Sequence, residues 1–138
     1  MIKALTDAAK RGVSVQIITT GKHTDSETVK RASRAQWGAL LKAGVEIYEF
    51  EPTMYHCKLM VVDALWVTVG STNLDPRSLS LNDEANVNYY DADFAQRQIE
   101  IYQQDRARSR QITFQQWKDR PFAEKFWEQA ASLFGSQL

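Results

Sequence analysis

The sequence feature that most constrains the fold is a predicted helix between two predicted strands in the first fifty residues. Alternating apolar and polar residues over 13–18 predict the first strand, and the run 45–50 predicts the second. Ser26 can cap the intervening helix, whose apolar residues recur at helical spacing until Gly44 ends it. Strands joined through a helix are usually parallel. The sequence therefore predicts a sheet that is at least partly parallel.

A β-hairpin and one further strand are predicted in the middle of the chain. Two apolar runs, 56–62 and 65–69, are joined around Asp63 and are typical of adjacent strands. A loop rich in turn-forming residues follows over 70–81, before another strand at 84–90. These strands complete a predicted α/β fold, with a mixed, partly parallel sheet flanked by helices on both faces.

Both ends of the chain are predicted to be helical. The first helix ends at Gly12, and the tail from about residue 92 repeats apolar residues every three or four positions. Thr113 and Gln116 form the pattern of a capping box. We expect the aromatic side chains of the tail to pack on the sheet: Trp117, Phe122, Phe126, Trp127 and Phe134. Because no repeat or linker interrupts it, the stretch 1–138 is predicted to be one domain.

Composition excludes several classes of protein. The 138 residues are 43% apolar, which is enough for a core without disulfides or metals. The single cysteine, Cys57, cannot form an internal disulfide, so a reducing, cytoplasm-facing environment is expected. The sequence holds neither a signal peptide nor an apolar run of the roughly 18 residues that a membrane span needs. Its 17 basic and 17 acidic residues disfavour binding to nucleic acid through overall charge.

The residues best suited to catalysis lie at the start of the first predicted hairpin strand and just after the second. His56 and Lys58 lie two positions apart, so their side chains leave the same face of a strand. Gly70, Ser71 and Asn73 begin where the second strand ends, and the two strands are neighbours. A histidine, an ammonium, a hydroxyl and an amide therefore meet at one edge, with a glycine that permits close backbone approach. This set fits a phosphate, with the histidine as nucleophile or proton carrier.

The full motif is more informative than its single residues. A lone histidine at a strand start is usually a solvated or core residue, and Ser-x-Asn after a strand is usually turn chemistry. Six residues at fixed intervals, H-x-K-x4-D-x6-G-S-x-N, are far more specific. This motif resembles the signature of the phospholipase D superfamily, and the matching residues are His56, Lys58, Asp63, Gly70, Ser71 and Asn73.

Within the superfamily, the sequence resembles the second half of bacterial cardiolipin synthases. The resemblance covers 2–91 well and the tail more loosely, and it is strongest in LLKAGVEIYEFEPTMYHCKLMVVD, GSTNLDPRS and LNDEANV. It implies a phospholipase D-like half-domain and a phospholipid substrate such as phosphatidylglycerol. It also implies a longer enzyme on the cytoplasmic face of the bacterial inner membrane, in contact with the membrane surface, with this chain itself soluble.

The resemblance implies a two-step phosphodiester transfer that needs no metal and no other cofactor. His56 attacks phosphorus to form a phosphohistidine, and a histidine from a second motif acts first as acid and then as base. Lys58 and Asn73 hold phosphate oxygens, and Ser71 assists in the same loop. Glu84 matches the family carboxylate that orients the catalytic histidine through its other ring nitrogen.

Asp63 belongs to the signature but is expected to stabilise its loop rather than contact substrate. The chain contains no second H-x-K motif, although the family builds each active site from two. Either the chain is part of a longer synthase, or two copies pair to complete one site. We favour the first, because the cardiolipin synthase-like sequence starts abruptly inside the first predicted helix.

Three functions follow from this interpretation. The leading one is a phosphatidyltransferase that joins phospholipids into cardiolipin. The second is a homodimeric nuclease or phosphodiesterase with one motif per chain, and the third is a catalytically incomplete half-domain. The stretch 56–95 holds two basic and six acidic residues, whereas a groove that follows a nucleic-acid backbone should be basic. Nucleic acid is therefore not the expected partner.

Three other residues are open to two interpretations. His23 lies in a loop that borders the active-site mouth in the family, but a solvated loop histidine is an equal alternative. Arg77 would either meet a lipid phosphate or pair with a carboxylate. Cys57 alternates away from His56 and Lys58, so we expect it to pack in the core and not to act as a nucleophile.

Overall fold

The computed structural model describes residues 1–73 and 83–134, so Arg77 and most of the predicted 70–81 loop lie outside the described residues. In chain order, the strands of the described part are β1 Gln16–Thr20, β2 Glu46–Phe50, β3 Leu59–Val62, β4 Trp66–Gly70, β5 Asn86–Tyr90 and β6 Ser109–Ile112. Its helices are α1 Ile2–Lys10, α2 Glu27–Ala35, α3 Trp37–Lys42, α4 Ala92–Ala107, α5 Phe114–Lys118 and α6 Phe122–Phe134.

The strands form two three-stranded sheets, each in its own compact unit. The first unit comprises Met1–Tyr55 and the chain from Ser109 on, and the second comprises His56–Arg108. In the first, β1 and β2 are parallel and β6 is antiparallel to β2. In the second, β3, β4 and β5 form an antiparallel sheet. The predicted mixed α/β fold is confirmed, although its strands divide between two sheets instead of sharing one.

The first unit is built around the predicted strand-helix-strand segment. Ser26 caps α2, because its Oγ accepts the Val29 N–H at 3.3 Å. The single helix that was predicted between the strands is two helices, which meet at Gln36. The Trp117 indole N–H donates to the carbonyl of Arg34 at 2.8 Å, which satisfies one of the last backbone acceptors of α2. The core below these helices consists of Trp37, Leu40, Val45, Ile47 and Ile112.

Strand β6 corrects the prediction of an uninterrupted helical tail. Its four residues contain one apolar side chain, Ile112, so they lack the alternation that identifies a strand. An ion pair accompanies its pairing with β2: the Arg110 guanidinium lies 2.5 Å from the buried Glu49 carboxylate. A buried carboxylate without a partner is strongly destabilising, so this pair favours the observed register. The capping box of Thr113 and Gln116 is confirmed at the start of α5.

The tail aromatics are largely exposed, contrary to expectation. Phe122, Phe126 and Trp127 expose 82%, 58% and 57% of their surfaces. The buried side of α6 instead includes a carboxylate, Glu128, which pairs with Arg120 at 2.6 Å. The buried face of this helix therefore contains an ion pair, whereas aromatic side chains were predicted there. Trp117 does contact the core, while the side chain of Phe134 lies outside the described residues.

The second unit carries the predicted hairpin. Strands β3 and β4 pair from Leu59 opposite Val69 to Val62 opposite Trp66, and β5 pairs with the other edge of β4. Helix α4 packs against β3 and β4. Ala95 of α4 and Val67 of β4 are fully buried. Across the described helices of both units, none is long and apolar enough to span a bilayer.

The hairpin turn holds Asp63 and Ala64 in the left-handed region, with φ of 51° and 50°. The Leu65 N–H donates to the Val62 carbonyl at 3.1 Å and closes a tight turn. Two consecutive left-handed residues characterise a type I′ turn, where Asp at the first position is favourable and Gly is preferred at the second. Asp63 is thus compatible with the predicted structural role, whereas Ala64 adopts a strained conformation for an alanine.

Replacing Ala64 with glycine is expected to raise the free energy of unfolding by about 0.5–1 kcal/mol. Relief of the left-handed strain, roughly 1–2 kcal/mol, exceeds the added entropy of an unfolded glycine chain. Urea denaturation of the two proteins measures the difference. A less stable Ala64→Gly protein with the same dependence on urea concentration would contradict the turn geometry.

Candidate active site

The candidate site forms where the first two strands of the second unit come together. The regular strand β3 starts at Leu59. His56 and Lys58 precede it, so the prediction that they lie within the strand is wrong. The backbone nevertheless continues the pairing by one step, because the Gly70 N–H donates to the Lys58 carbonyl at 3.2 Å. This bond joins the end of the H-x-K segment to the start of the G-S-x-N segment.

One open cavity of about 340 Å³ gathers the residues of the motif. Its lining consists of His56, Lys58, Gly70, Ser71 and Asn73. The structure thus brings together four of the six predicted site residues, together with the glycine of the motif. Among the described residues, Asp63 and Glu84 do not line this cavity. The lining residues that the structure describes combine one cation with neutral donors and include no carboxylate, which suits an anion such as phosphate.

The Lys58 ammonium is held at the cavity by its own segment. Its Nζ donates to the carbonyl of His56 at 3.1 Å. An ammonium has three N–H donors, so two remain for a ligand. Lys58 is half-buried and His56 is exposed, and the histidine ring is therefore accessible to a substrate.

Ser71 is fixed by two hydrogen bonds to Ala85, the residue just before β5. The Ser71 N–H donates to the Ala85 carbonyl at 3.1 Å, and the Ala85 N–H donates to Ser71 Oγ at 3.1 Å. Because the oxygen already accepts from the backbone, the hydroxyl proton remains available for donation. Ser71 is therefore prepared to donate to a phosphate oxygen in the cavity that it lines.

The close approach expected at Gly70 is made by a neighbouring strand. A Cβ on Gly70 would lie 2.2 Å from the carbonyl oxygen of Ala85 and 2.1 Å from Oδ1 of Asn86. Real Cβ atoms do not come so close to other heavy atoms. Glycine is thus required here for the packing of the strand end, whether or not a ligand is bound.

The other two predicted site residues lie elsewhere in the unit. Asp63 occupies the hairpin turn, and the length of β3 separates it from Lys58 by roughly 15 Å at about 3.3 Å per residue. Glu84 is half-buried immediately before Ala85, next to the segment that holds Ser71. Their proposed roles, loop stabilisation by Asp63 and orientation of the histidine by Glu84, remain predictions.

Cys57 is exposed, so the expectation that it packs in the core is wrong. Because residues 56–58 precede the regular strand, strand alternation does not govern their side chains. Partial desolvation raises the pKa of the Cys57 thiol, and the Asp105 carboxylate raises it further against the opposing charge of Lys58. The thiol is thus mostly protonated at neutral pH and is a weak nucleophile there.

His23 belongs to the first unit, in the exposed loop after β1. This loop starts at Gly21, whose carbonyl accepts from the Lys30 ammonium at 2.6 Å. A Cβ on Gly21 would lie 2.2 Å from the Phe50 carbonyl, so the loop leaves β1 in close contact with β2. Both interpretations of His23 stay open.

Asn86 is a site-adjacent residue that the sequence analysis missed. Its Oδ1 accepts the Thr72 N–H at 3.3 Å, one residue before Asn73. The sequence signal was limited to its place within LNDEANV, two positions after Glu84. Its contact depends on the register of β4 and β5, in which Gly70 and Asn86 are opposite each other.

Comparison with known proteins shows the family of the chain. The family described as "Cardiolipin synthase, PLD-like domain" matches residues 1–106. The chain belongs to this family. The predicted phospholipase D resemblance is confirmed, and the chain is a cardiolipin synthase-type phospholipase D-like domain.

Relatives of this cardiolipin synthase-type domain extend the similarity into the tail. Cardiolipin synthase A of Proteus mirabilis (strain HI4320) is 42% identical over 136 residues, which is 98% of the chain. Cardiolipin synthase B of Salmonella typhi is 45% identical over 96 residues, or 70% of the chain. The chain spans 28% and 23% of the lengths of these two relatives.

A solved structure has the same fold. The phospholipase D family member Nuc from Salmonella typhimurium aligns with a TM-score of 0.71 and 26% identity. The alignment covers 81% of this chain and 72% of Nuc. The phospholipase D-like fold of the domain is therefore confirmed in three dimensions as well as in sequence.

Proposed function

We propose that the chain supplies the nucleophile and a phosphate-binding set for an active site that transfers a phosphatidyl group between phospholipids. The observation that supports this most directly is the single cavity lined by His56, Lys58, Ser71 and Asn73. The similarity to cardiolipin synthase A over 98% of the chain supports a phospholipid as the substrate.

The proposed first step uses His56 as nucleophile. An imidazole nitrogen attacks the phosphorus of phosphatidylglycerol, and the bond from phosphorus to the glycerol headgroup oxygen breaks. A second histidine donates a proton to this oxygen, and free glycerol leaves. Lys58, Ser71 and Asn73 donate to the non-bridging oxygens, where charge develops.

The second step regenerates the enzyme. The headgroup hydroxyl of a second phosphatidylglycerol attacks the phosphohistidine, while the second histidine takes its proton. The bond between phosphorus and His56 breaks, and cardiolipin forms. The net reaction converts two phosphatidylglycerol molecules to one cardiolipin and one glycerol, and it consumes no oxidant, reductant or metal.

The proposed site needs a second motif, which comes from another half of a longer protein or from a second copy of the chain. Lys58 is the one cation among the described residues that line the cavity. A phosphodiester transition state carries more negative charge than one ammonium neutralises, and a second H-x-K segment would add both a lysine and the proton-donating histidine. In this proposal the membrane surface contacts the longer enzyme.

Hydrolysis is the alternative outcome of the same chemistry. If water replaces the acceptor lipid, the product is phosphatidic acid, and the protein is a phosphodiesterase. The structural similarity to Nuc keeps this class under consideration. The identity of the lipid product separates the two functions.

The test is an assay of phosphatidylglycerol in detergent micelles containing EDTA, with the mass of the protein measured by light scattering. We expect paired protein, either a homodimer or the chain with the first half of a cardiolipin synthase, to form cardiolipin and release glycerol. Monomeric chain should be at least about 1,000-fold slower, because the acid-base partner is missing. Equal rates for both forms, or activity abolished by EDTA and restored by zinc, would contradict the mechanism.

A further inference from the structure

We infer that Asn86 is a positioning residue that sets the geometry of the loop carrying Ser71 and Asn73. This inference rests on the proposed function insofar as the loop binds a phosphate. The side chain of Asn86 accepts a hydrogen bond from Thr72, the residue between the two proposed ligand groups. Asn86 itself does not line the cavity among the described residues.

Successive backbone groups anchor the loop up to Thr72. The Gly70 N–H bonds to Lys58, the Ser71 N–H bonds to Ala85, and the Thr72 N–H bonds to Asn86. The first two acceptors are main-chain carbonyls, which any residue provides. The third is a side-chain amide oxygen, so the identity of residue 86 decides whether Thr72 is anchored. Thr72 in turn fixes the peptide that leads into Asn73.

The amide of Asn86 fits because residue 70 is glycine. The two residues are opposite each other in the pairing of β4 and β5. A Cβ on residue 70 would lie only 2.1 Å from Oδ1 of Asn86, so any larger residue would clash with this amide. Gly70 and Asn86 therefore form a complementary pair, in which the missing side chain of one admits the side chain of the other.

The experiment compares Asn86→Ala with Asn88→Ala in the full chain. Asn88 is the matched control because it is exposed, lies two positions along the same strand and projects from the same side of the sheet. Inorganic phosphate is titrated while the imidazole NMR signals of His56 are followed. The signals of His23, the other histidine of the chain, are recorded in the same spectra. Hydrogen exchange of the Thr72 amide is measured in the same samples.

We expect Asn86→Ala to weaken phosphate binding about 3- to 10-fold and to accelerate exchange of the Thr72 amide, as suits the loss of one hydrogen bond. Asn88→Ala should change both quantities less than about twofold. Asn86→Asp keeps the acceptor oxygen, so it should restore slow exchange at Thr72. That recovery distinguishes positioning through the acceptor from a general effect on the strand.

Equal effects of the two alanine variants would overturn the inference, and so would an Asn86→Asp protein whose Thr72 amide exchanges as fast as in Asn86→Ala. Wild-type protein that bound no phosphate at His56 would overturn the proposed function instead. In that case the Thr72 exchange rates still decide whether Asn86 anchors the loop. Failure of the inference and failure of the function are therefore separable.

Discussion

The His56→Ala variant of the paired protein is expected to lose at least about 1,000-fold in the rate of cardiolipin formation. Alanine offers no atom that can attack phosphorus. The groups that donate hydrogen bonds to the phosphate, Lys58 among them, cannot replace a covalent intermediate. Substrate binding should change much less, because the ammonium, hydroxyl and amide of the cavity are retained. The loss should therefore appear in kcat rather than in KM.

The matched control for this variant is His23→Ala, because His23 is exposed in a loop of the first unit. If His23 is a solvated loop residue, His23→Ala should retain activity within about threefold and leave stability within about 0.5 kcal/mol, as for a typical surface substitution. His56 is exposed as well, so circular dichroism should show the same fold for both variants. Equal rates of cardiolipin formation by wild type and His56→Ala would show that His56 is not the nucleophile.

The second large effect is expected at Gly70. Gly70→Ala should lower the free energy of unfolding by about 2–3 kcal/mol and greatly weaken phosphate binding. The added Cβ meets the main-chain carbonyl of Ala85 at 2.2 Å, and a backbone atom cannot rotate away as a flexible side chain can. Strand β5 must then move from β4, and this movement breaks the two hydrogen bonds that hold Ser71.

Gly12→Ala controls for the general effect of replacing a glycine with alanine away from the site. A Cβ at Gly12 has no heavy atom within 4 Å, but the residue adopts a φ of +92° in the first unit. Its substitution should cost about 1–2 kcal/mol of backbone strain without changing phosphate affinity. Chemical denaturation and the phosphate titration measure both quantities. Gly70→Ala protein with wild-type affinity for phosphate would contradict the packing described for the strand end.

Sequence spacing was sufficient to predict that four of the six proposed site residues lie together. The hairpin places the H-x-K segment beside the start of the G-S-x-N segment, and this follows from two apolar runs joined by a short turn. What spacing could not supply was the register of β5, because the residues at its start pair with residues more than a dozen positions earlier in the sequence. The contact between Asn86 and Thr72 depends on that register. A local sequence pattern therefore could not predict this contact.

Charge pairs account for two errors in the first unit. The strand β6 has little apolar periodicity and is accompanied in its pairing by Arg110, which meets the buried Glu49. Helix α6 buries Glu128 with Arg120 and leaves Phe122 exposed. Apolar periodicity predicts which face an element buries when the hydrophobic effect dominates. It cannot identify a face whose burial is stabilised by ion pairs.

The reciprocal bonds between Ser71 and Ala85 bear on how an anion associates with the site. Moving Ser71 away from its position requires the end of the sheet to open, since both its N–H and its Oγ are bonded to Ala85. Gly70, Ser71 and Thr72 are thus preorganised, and binding does not have to order them. In kinetic terms, we expect phosphate to bind this proposed half of the site without a preceding isomerisation of the anchored segment.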